Sequence, residues 1–400
     1  MTRNEEKTMG TPKSSNQAML GGALIALLAM GVSAPALAGI KVYGDDDKYV
    51  TVGGRLQLQY HQVKPDGGES TDTLFFRRLR PYIEGSFAKG WKGKFQWDMG
   101  KAEDDNEIAI KDAYFQYKAA NGMAVTVGNA NFPFSRELLT SSKKQQLVER
   151  TFVGDHNYGT PDRQTGVHLT GNFFEGEKIT WGASLVQAAI DPDDDKLDFD
   201  TLVNRNDDFN EGWMAGGRLD FHPMGHLKME QGDFDGKPKA TIGIGVFAWS
   251  NDDDNNTRTT AGLADNVAKP DMDSVTGFEI SGAFRGFGFS VDAEYNLFNA
   301  ETIDQTVTSG IFLNGATDLE NYALELGYMV VPKKLELVAG YEVMSADNYA
   351  DDWTRTSVGA NYFFHKHNAK VQLTYRMGES LHGQVGNDED ELFLQTQYVF

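Results

Sequence analysis

The chain has 400 residues, no cysteine and a formal net charge of -21. The lack of cysteine excludes disulfides, thiolate-bound metals and thiol catalysis. The acidic balance excludes a general nucleic-acid binder, which shows a basic footprint. After the N-terminus no apolar run reaches about 20 residues, which excludes a bundle of membrane-spanning helices. Aromatic residues make up 12% of the chain and glycine occurs 43 times, as is typical of β-proteins with many strands and turns.

The N-terminus has the features of an export signal. Three basic residues precede the apolar run AMLGGALIALLAMGVSAPALA, which closes on Ala36-Leu37-Ala38. A basic segment, an apolar segment and a small-residue exit follow each other in this order in secretory signal peptides. We therefore expect residues 1–38 to be a cleaved signal peptide and residues 39–400 to be the mature domain. An uncleaved membrane anchor is the alternative.

From Tyr49 onward the sequence alternates between apolar and polar residues with a period of two. In NYALELGYMVV, for example, Tyr322, Leu324 and Leu326 lie on one face and Glu325 lies on the other. This pattern predicts transmembrane strands with one face toward lipid and the other toward a polar lumen. Sixteen segments carry it: 49–61, 73–88, 91–100, 107–119, 123–131, 165–174, 178–190, 212–223, 239–250, 274–285, 287–299, 319–331, 335–346, 356–365, 369–378 and 391–400.

The links between these segments distinguish a membrane barrel from a soluble sandwich, because both alternate. Links after even-numbered segments are short, apart from a longer one between 223 and 239, and links after odd-numbered segments are long and polar. This sorting is typical of a barrel with both termini in the periplasm. The predicted fold class is therefore all-β, a 16-stranded antiparallel transmembrane β-barrel. The last strand ends on Phe400, like the C-terminal signal of bacterial outer-membrane proteins.

The long links hold much of the acidic excess. Residues 191–211 are rich in Asp and Glu, and Asp252, Asp253 and Asp254 stand in a row. Solvation of exposed loops accounts for such runs. The alternative is that they bind divalent cations that bridge to lipopolysaccharide, since carboxylate clusters suit hard cations.

No motif for catalysis or for a cofactor stands out. The histidines are scattered, and no G-x-S-x-G lies on a suitable turn, so we expect no enzymatic activity. His365 and His367 resemble a metal pair, but they lie in a short turn that we expect to be exposed, and no metal or cofactor is expected. Only about ten residues separate Gly39 from the first strand, too few for the plug domain of a gated receptor.

The stretch FFRRLRPYIEGSF combines cations with an apolar stripe. Phe75 and Leu79 share the parity expected to face lipid, whereas Arg78 and Arg80 share the inward parity. An arginine on the lipid face near the midplane costs about 2–4 kcal/mol, which favours the lumen for these side chains. Arg77 breaks the alternation, so a bulge or a place near the strand end must turn it inward.

The same parity divides the predicted lumen into a basic wall and an acidic wall. The basic wall lies on segments one to three and fifteen, which adjoin once the barrel closes, and the acidic wall lies on segments ten to thirteen. Inward basic residues are Arg55, Arg78, Arg80, Lys94, Lys370 and Arg376, with Arg218 apart from them. Inward acidic residues are Glu279, Asp292, Glu294, Glu325, Glu336 and Glu342.

One long link differs from the others. Residues 131–164 hold a short helix-like apolar patch and several cations, including Lys143 and Lys144. A link of this length is usually functional or disordered, and this one is too apolar for disorder. It is the third long loop of the predicted barrel, and we expect it to fold into the lumen.

The motifs FRRLRPYIEGSF, KGKFQWD and IKDAYFQYK, and the segment TVGNANFPFSRELLTSSKKQQLVERTFVGDHNYGTPDRQTGVHL, resemble the phosphate-selective porin O/P family. The resemblance is most specific between about 75 and 170. It implies a trimer of sixteen-stranded barrels, with loop three folded inward and anions passing along inward arginines and lysines. The residues that match this pattern are Arg77 and Arg78, with Arg55, Arg80 and Lys94 as inward neighbours and Lys143 or Lys144 on loop three.

The expected function is passive diffusion of anions, of the phosphate or polyphosphate class, through an outer-membrane porin. The expected partners are inorganic anions, outer-membrane lipid and lipopolysaccharide, and further copies of the chain in a homotrimer, but no nucleic acid. A weakly selective general diffusion porin is the alternative, because the acidic wall competes with the basic one. The cations could also be structural, pairing with Glu84, Asp98 and Asp112 to hold strands and loop in place.

Overall fold

The computed structural model describes most of the mature domain. The described residues are 39–100, 108–190, 194–199, 210–251 and 271–400. The predicted signal peptide, the acidic run Asp252–Asp254 and most of the acidic link 191–211 lie outside the described residues. None of the helices in the described ranges has both the length and the apolar composition of a membrane span.

Antiparallel strands make up almost all of the described chain. They are β1 (Ile40–Gly44), β2 (Tyr49–Pro65), β3 (Thr71–Ser86), β4 (Trp91–Asp98), β5 (Ala109–Lys118), β6 (Ala124–Asn131), β7 (Arg163–Phe173), β8 (Ile179–Ala189), β9 (Glu211–Phe221), β10 (Lys239–Asn251), β11 (Met272–Gly286), β12 (Phe289–Thr302), β13 (Ala316–Val331), β14 (Leu335–Ser345), β15 (Trp353–His365), β16 (Ala369–Glu379) and β17 (Glu389–Val399).

The strands β2 to β17 close into a barrel. Each pairs antiparallel with its neighbours in the chain, and β17 pairs with β2 from Val399↔Arg55 to Glu389↔Pro65. The prediction of a sixteen-stranded antiparallel barrel is confirmed, because each of the sixteen alternating segments contributes one of these strands. The short strand β1 pairs with the start of β2, next to the point where β17 ends. We call the end of the barrel where β2 begins and β17 ends the short-turn end, and the opposite one the long-loop end.

The alternation in sequence becomes an alternation in exposure. On β13, Leu324, Leu326 and Tyr328 are exposed, whereas Glu325 between them is only 4% exposed. The same holds on β10, where Ile242, Ile244 and Val246 are exposed. An apolar outer face and a polar inner face are what a barrel in a bilayer requires, since the hydrocarbon core offers no hydrogen-bond partners.

A β-bulge at Arg77 interrupts this alternation on β3. Gln57 on β2 pairs with Arg78, but the next residue, Leu58, pairs with Phe76, so Arg77 is the extra residue. Of the two explanations considered for Arg77, a bulge or a place near the strand end, the structure shows the bulge, which also corrects one prediction. Phe75 was expected on the lipid face, but beyond the bulge the parity reverses, and Phe76 becomes the exposed residue at 47%.

Loop 3, residues 132–162, joins β6 to β7 and carries the short helix α1 (Arg136–Leu139). The Ser135 hydroxyl accepts a hydrogen bond from the Leu138 amide and caps the first turn. The Arg150 guanidinium donates to the carbonyls at the other end of α1, those of Glu137, Leu138 and Thr140, and also to that of Gly154. One cation thus satisfies the carbonyls that the helix end leaves free.

The hydrogen bonds of loop 3 reach inward side chains on many strands. The Lys370 ammonium on β16 donates to the Gln145 carbonyl at 2.8 Å, and Asn296 on β12 donates to the Val153 carbonyl at 2.9 Å. An apolar core packs at the long-loop end beside the loop. Its members include Phe132, Phe134, Phe152, Phe199, Phe247, Trp249, Phe298, Phe312 and Trp353.

The longer link seen in the sequence is a turn, residues 222–238, between β9 and β10. It folds back at the short-turn end against side chains far from its own strands. Phe234 packs edge-on against Phe363 of β15, with ring centroids 5.0 Å apart. It also contacts His367 in the turn between β15 and β16, again at 5.0 Å. His367 is 4% exposed, so the expectation of an exposed turn is wrong for this histidine.

Candidate pore-lining site

The basic wall begins with two arginines that face each other. Arg55 on β2 and Arg80 on β3 are direct cross-strand partners. Like charges in this position destabilise a sheet unless each finds other partners. The Arg80 guanidinium binds the Asp98 carboxylate at 2.5 Å, whereas Arg55 donates to the Ser142 hydroxyl of loop 3 at 2.8 Å. Arg55 therefore has a hydroxyl partner but no carboxylate partner among the described residues.

A cavity of about 370 Å³ brings four of the seven predicted site residues together. Arg55, Arg80, Lys94 and Lys143 all line it, from two neighbouring strands, the next strand and loop 3. Arg163, the first residue of β7, is a fifth cation in its wall. The other lining residues are Thr51, Gly54, Tyr82, Glu84, Gln96, Ser141 and Val399.

Three of the five cations in this cavity, Arg80, Lys94 and Arg163, form ion pairs with carboxylates. Asp112 on β5 binds the Lys94 ammonium at 2.5 Å and the Arg163 guanidinium at 2.6 Å. Asp162 also binds Arg163, at 2.9 Å. With the pair of Arg80 and Asp98, these ion pairs match the alternative in which the cations hold strands and loop in place. The remaining positive charge belongs to Arg55 and Lys143.

Lys143 and its neighbour Lys144 lie in a 3-10 turn, Ser142–Lys144, and have different surroundings. Lys143 lines the basic cavity and has no carboxylate partner in the described part of the chain. Burial, and after it the Arg55 guanidinium, lower the pKa of the Lys143 ammonium to about 8. Lys144 instead binds the Glu230 carboxylate at 2.9 Å. The structure therefore brings Lys143, and not Lys144, to the other site residues.

Arg77 and Arg78 lie outside the cavity wall and bind loop 3. The Arg77 guanidinium holds both oxygens of the Glu149 carboxylate, at 2.7 and 3.1 Å. Arg78 is 3.7 Å from the same carboxylate and donates to the Gln57 side chain at 3.2 Å. Burial raises the pKa of Glu149, but the two arginines outweigh it and bring it to about 2, so this carboxylate stays ionised.

The acidic wall is covered by loop 3 and by turn 222–238. Glu294 accepts a hydrogen bond from the Glu137 amide at 2.9 Å, and Glu342 accepts one from the Phe152 amide at 2.6 Å. Glu336 accepts one from the Gln146 side chain at 2.9 Å. Each of the three wall carboxylates is at least 93% buried, as the exposures of 7%, 1% and 0% indicate. These charges hold the loop and do not line the basic cavity.

The three remaining members of this wall, Asp292, Glu279 and Glu325, bind arginines or the turn. Arg136 of α1 and Arg285 of β11 bind Asp292, at 3.3 and 2.6 Å. Arg218 binds Glu279 at 2.7 Å and Asp220 at 2.8 Å. The remaining carboxylate, Glu325, accepts a hydrogen bond from Gln231 of the turn.

Two residues of the site were not among the sequence predictions. Arg163 lies at the first position of β7, where alternation does not yet give a direction. The feature of the sequence that could have identified Arg163 is the adjoining Asp162, since adjacent Asp and Arg residues at the start of a strand can form an ion pair. Glu149 was not among the acids expected to pair with these cations, and its pairing with Arg77 depends on the bulge. Among the described residues, no group of three or more His, Asp or Glu could hold a metal ion.

Comparison with known proteins assigns the family. The profile of the family described as "Phosphate-selective porin O and P" matches residues 50–400. The chain belongs to this family of porins. Porin O of Pseudomonas aeruginosa is 26% identical to this porin over 310 residues, which cover 68% of each chain. Family and fold are those of an outer-membrane channel.

Solved structures with low sequence identity share the fold. An anion-selective porin from Comamonas acidovorans superposes with a TM-score of 0.59 at 11% identity, over 88% of this porin and all of that chain. OmpT of Vibrio cholerae, solved in a trimer form, gives a TM-score of 0.56 at 14% identity, over 89% and 100%. At these identities the likeness establishes the barrel fold of this porin.

Proposed function

We propose that this porin conducts hydrated anions passively, with a preference for the phosphate or polyphosphate class. The observation that carries the proposal is the basic cavity, in which Arg55 and Lys143 keep positive charges without carboxylate partners. In a confined, partly dehydrated passage such charges favour anions over cations. The family description and the relative Porin O support the phosphate class. We expect transport without chemistry and without a cofactor.

Loop 3 would set the width of this passage. Its hydrogen bonds to β12, β15 and β16 support a position within the lumen, where it narrows the barrel. Further bonds to Glu294, Glu336 and Glu342 attach the loop to the acidic wall. The passage that remains open would then follow β2, β3 and β4, whose side chains line the basic cavity. Arg77 and Arg78 would then lie on the long-loop side of the cavity as an approach for anions.

The surroundings of the barrel follow from its outer surface. The exposed apolar belt supports contact with outer-membrane lipid, and the exposed long loops would face lipopolysaccharide. The trimer form of a porin with the same fold supports a homotrimer. Export with cleavage of residues 1–38 would deliver the chain to this membrane.

A weakly selective general diffusion porin is the second candidate. Its supporting observation is that Arg80, Lys94 and Arg163 are all bound to carboxylates. If selectivity depends only on the net charge of the passage, these ion pairs reduce the positive charge and the preference for anions is modest. The two candidates differ in how strongly phosphate competes with other anions.

The deciding experiment measures the reversal potential of the purified porin in a planar bilayer across a KCl gradient. We expect the sign of the reversal potential to show that chloride permeates better than potassium. A cation-selective channel would refute the proposal. Phosphate is then added at constant chloride. A fall in chloride current at low phosphate supports a phosphate-selective pore, whereas unchanged current supports the general porin.

A further inference from the structure

Gln231, at the middle of turn 222–238, uses every polar group it has. Its amide donates to the Lys144 carbonyl at 3.0 Å, and its side-chain oxygen accepts from the Gln146 amide at 2.6 Å. Its side-chain nitrogen donates to Glu325, and its carbonyl accepts from His367 at 2.8 Å. At 1% exposure, the residue joins loop 3 to β13 and to the turn between β15 and β16.

The turn around Gln231 is itself firmly held. The Gly232 amide donates to the Ser290 hydroxyl at 3.1 Å, and the Asp233 carboxylate accepts from the Gly288 amide at 2.8 Å. The next residue, Phe234, packs against Phe363. Because the turn is attached to β12, β13 and β15, it can act as a fixed support for loop 3.

What Gln231 supports is the backbone on one side of Lys143. Lys144 and Gln146 are fixed by Gln231, and the Lys144 ammonium is drawn toward Glu230 at 2.9 Å, away from the basic cavity. On the other side, the Gln397 side chain donates to the Lys143 carbonyl at 2.9 Å. The two neighbouring lysines are thereby separated, one toward the turn and the other toward the cavity.

We propose that Gln231 is a positioning residue that holds the Lys143 ammonium at the basic cavity from the short-turn end. The proposal rests on the proposed function for its effect on permeation. Gln231 contacts no permeating ion in this scheme and acts only through loop 3. It makes turn 222–238, which no sequence motif singled out, a determinant of selectivity.

The first test replaces Gln231→Ala in the full-length porin. Glutamine and alanine are both uncharged, so a changed reversal potential must come from a displaced charged group. We expect Gln231→Ala to move the reversal potential toward zero as far as Lys143→Gln does. The double variant should equal Lys143→Gln alone, because two residues that act through one group are not additive. Additive effects, or an unchanged potential in Gln231→Ala, would overturn the proposal.

The second test reports on the position of residue 143 without any ion selectivity. Because the chain has no cysteine, Lys143→Cys provides a single thiol for labelling by an uncharged thiosulfonate reagent. Adding Gln231→Ala should change the labelling rate by about tenfold, the shift expected when one or two net hydrogen bonds are lost. An unchanged rate sinks the role of Gln231. A cation-selective wild type with a changed rate sinks only the proposed function.

A matched control separates positioning from general loosening of the barrel. Asn129 on β6 is as buried as Gln231, at 1% exposure, and its side-chain nitrogen donates to the Lys111 carbonyl, not to loop 3. Asn129→Ala should leave both the reversal potential and the labelling rate at wild-type values. If Gln231→Ala fails to fold, as judged by heat-modifiable gel mobility, Gln231→Met keeps the volume, removes the hydrogen bonds and takes its place in both tests.

Discussion

The basic and the acidic wall both bury charge, but they compensate it in different ways. On the acidic wall, Glu294, Glu336 and Glu342 each accept a hydrogen bond from loop 3. On the basic wall, Arg55 and Lys143 remain without a carboxylate partner in the described part of the chain. The carboxylates bind the protein's own loop, whereas the two cations without a carboxylate partner line the basic cavity.

This difference explains why net charge is a poor guide to selectivity. The chain carries -21 overall, yet the carboxylates of the acidic wall are bound by backbone amides, glutamine side chains and arginines. Distant loop charges are screened within about 8 Å at physiological salt. We therefore expect the few charged groups without a carboxylate partner to set the ion preference of the passage.

The largest effect is expected from the arginine that lies on the acidic side. Arg218→Ala leaves Asp220 and Glu279 as buried carboxylates without their cation, and such a loss typically costs about 3–5 kcal/mol. The urea midpoint of unfolding in detergent should fall accordingly, while the reversal potential of the folded fraction stays unchanged. Arg218→Lys, which keeps the charge, should recover part of the stability. A selectivity change at wild-type stability would contradict the contrast between the walls.

The opposite pattern is expected on the basic wall. Arg55→Gln with Lys143→Gln removes both unpaired cations and should lower the anion-to-cation permeability ratio about two- to tenfold. This range corresponds to one or two charges acting across several ångströms of partly aqueous dielectric. The unfolding midpoint should change little. Lys144→Gln is the matched control, because the Lys144 ammonium is bound to Glu230. An equal effect of this variant would mean that selectivity does not depend on where in the passage the lysine charge lies.

A smaller, reversible version of the same change is expected from pH. A lysine with a pKa of about 8 is charged below that pH and neutral above it, so anion preference should fall as pH rises from 7 to 9. The charged groups around Lys143 are Arg55, Lys144, Lys94 and Glu230. Reversal potentials measured at each pH should follow one titration, and Lys143→Gln should flatten the curve. A wild-type curve without any step would exclude Lys143 as the titrating group.

The sequence predicts the barrel well because alternation and loop length are local properties. Each strand shows its two faces by itself, as β13 does with Leu324 and Glu325, and closure follows from an even count. The clustering of Arg55, Arg80 and Lys94 was also accessible, because neighbouring strands and parity are enough to place them. These residues needed no long-range contact to be found.

The rest of the site depends on contacts between distant parts of the chain. Which of Lys143 and Lys144 faces the cavity is decided by Glu230, some 86 positions away. The covering of Glu342 depends on the Phe152 amide, and the position of Gln231 on a turn that crosses to His367. Periodicity within one segment carries no information on such pairings, so parity could place the acidic residues but not show that they are covered.

The bulge on β3 has a consequence for the spacing of charge along the pore wall. In a regular strand, side chains on one face recur at about 6.6–6.8 Å, so successive cations cannot stand closer than that. The extra residue lets Arg77 and Arg78 both reach Glu149, at 2.7 and 3.7 Å, at roughly half that spacing. One inserted residue thus places two guanidiniums beside a single carboxylate, so this group of three side chains carries one net positive charge. A regular strand would bring only one cation to Glu149, and that pair would be neutral.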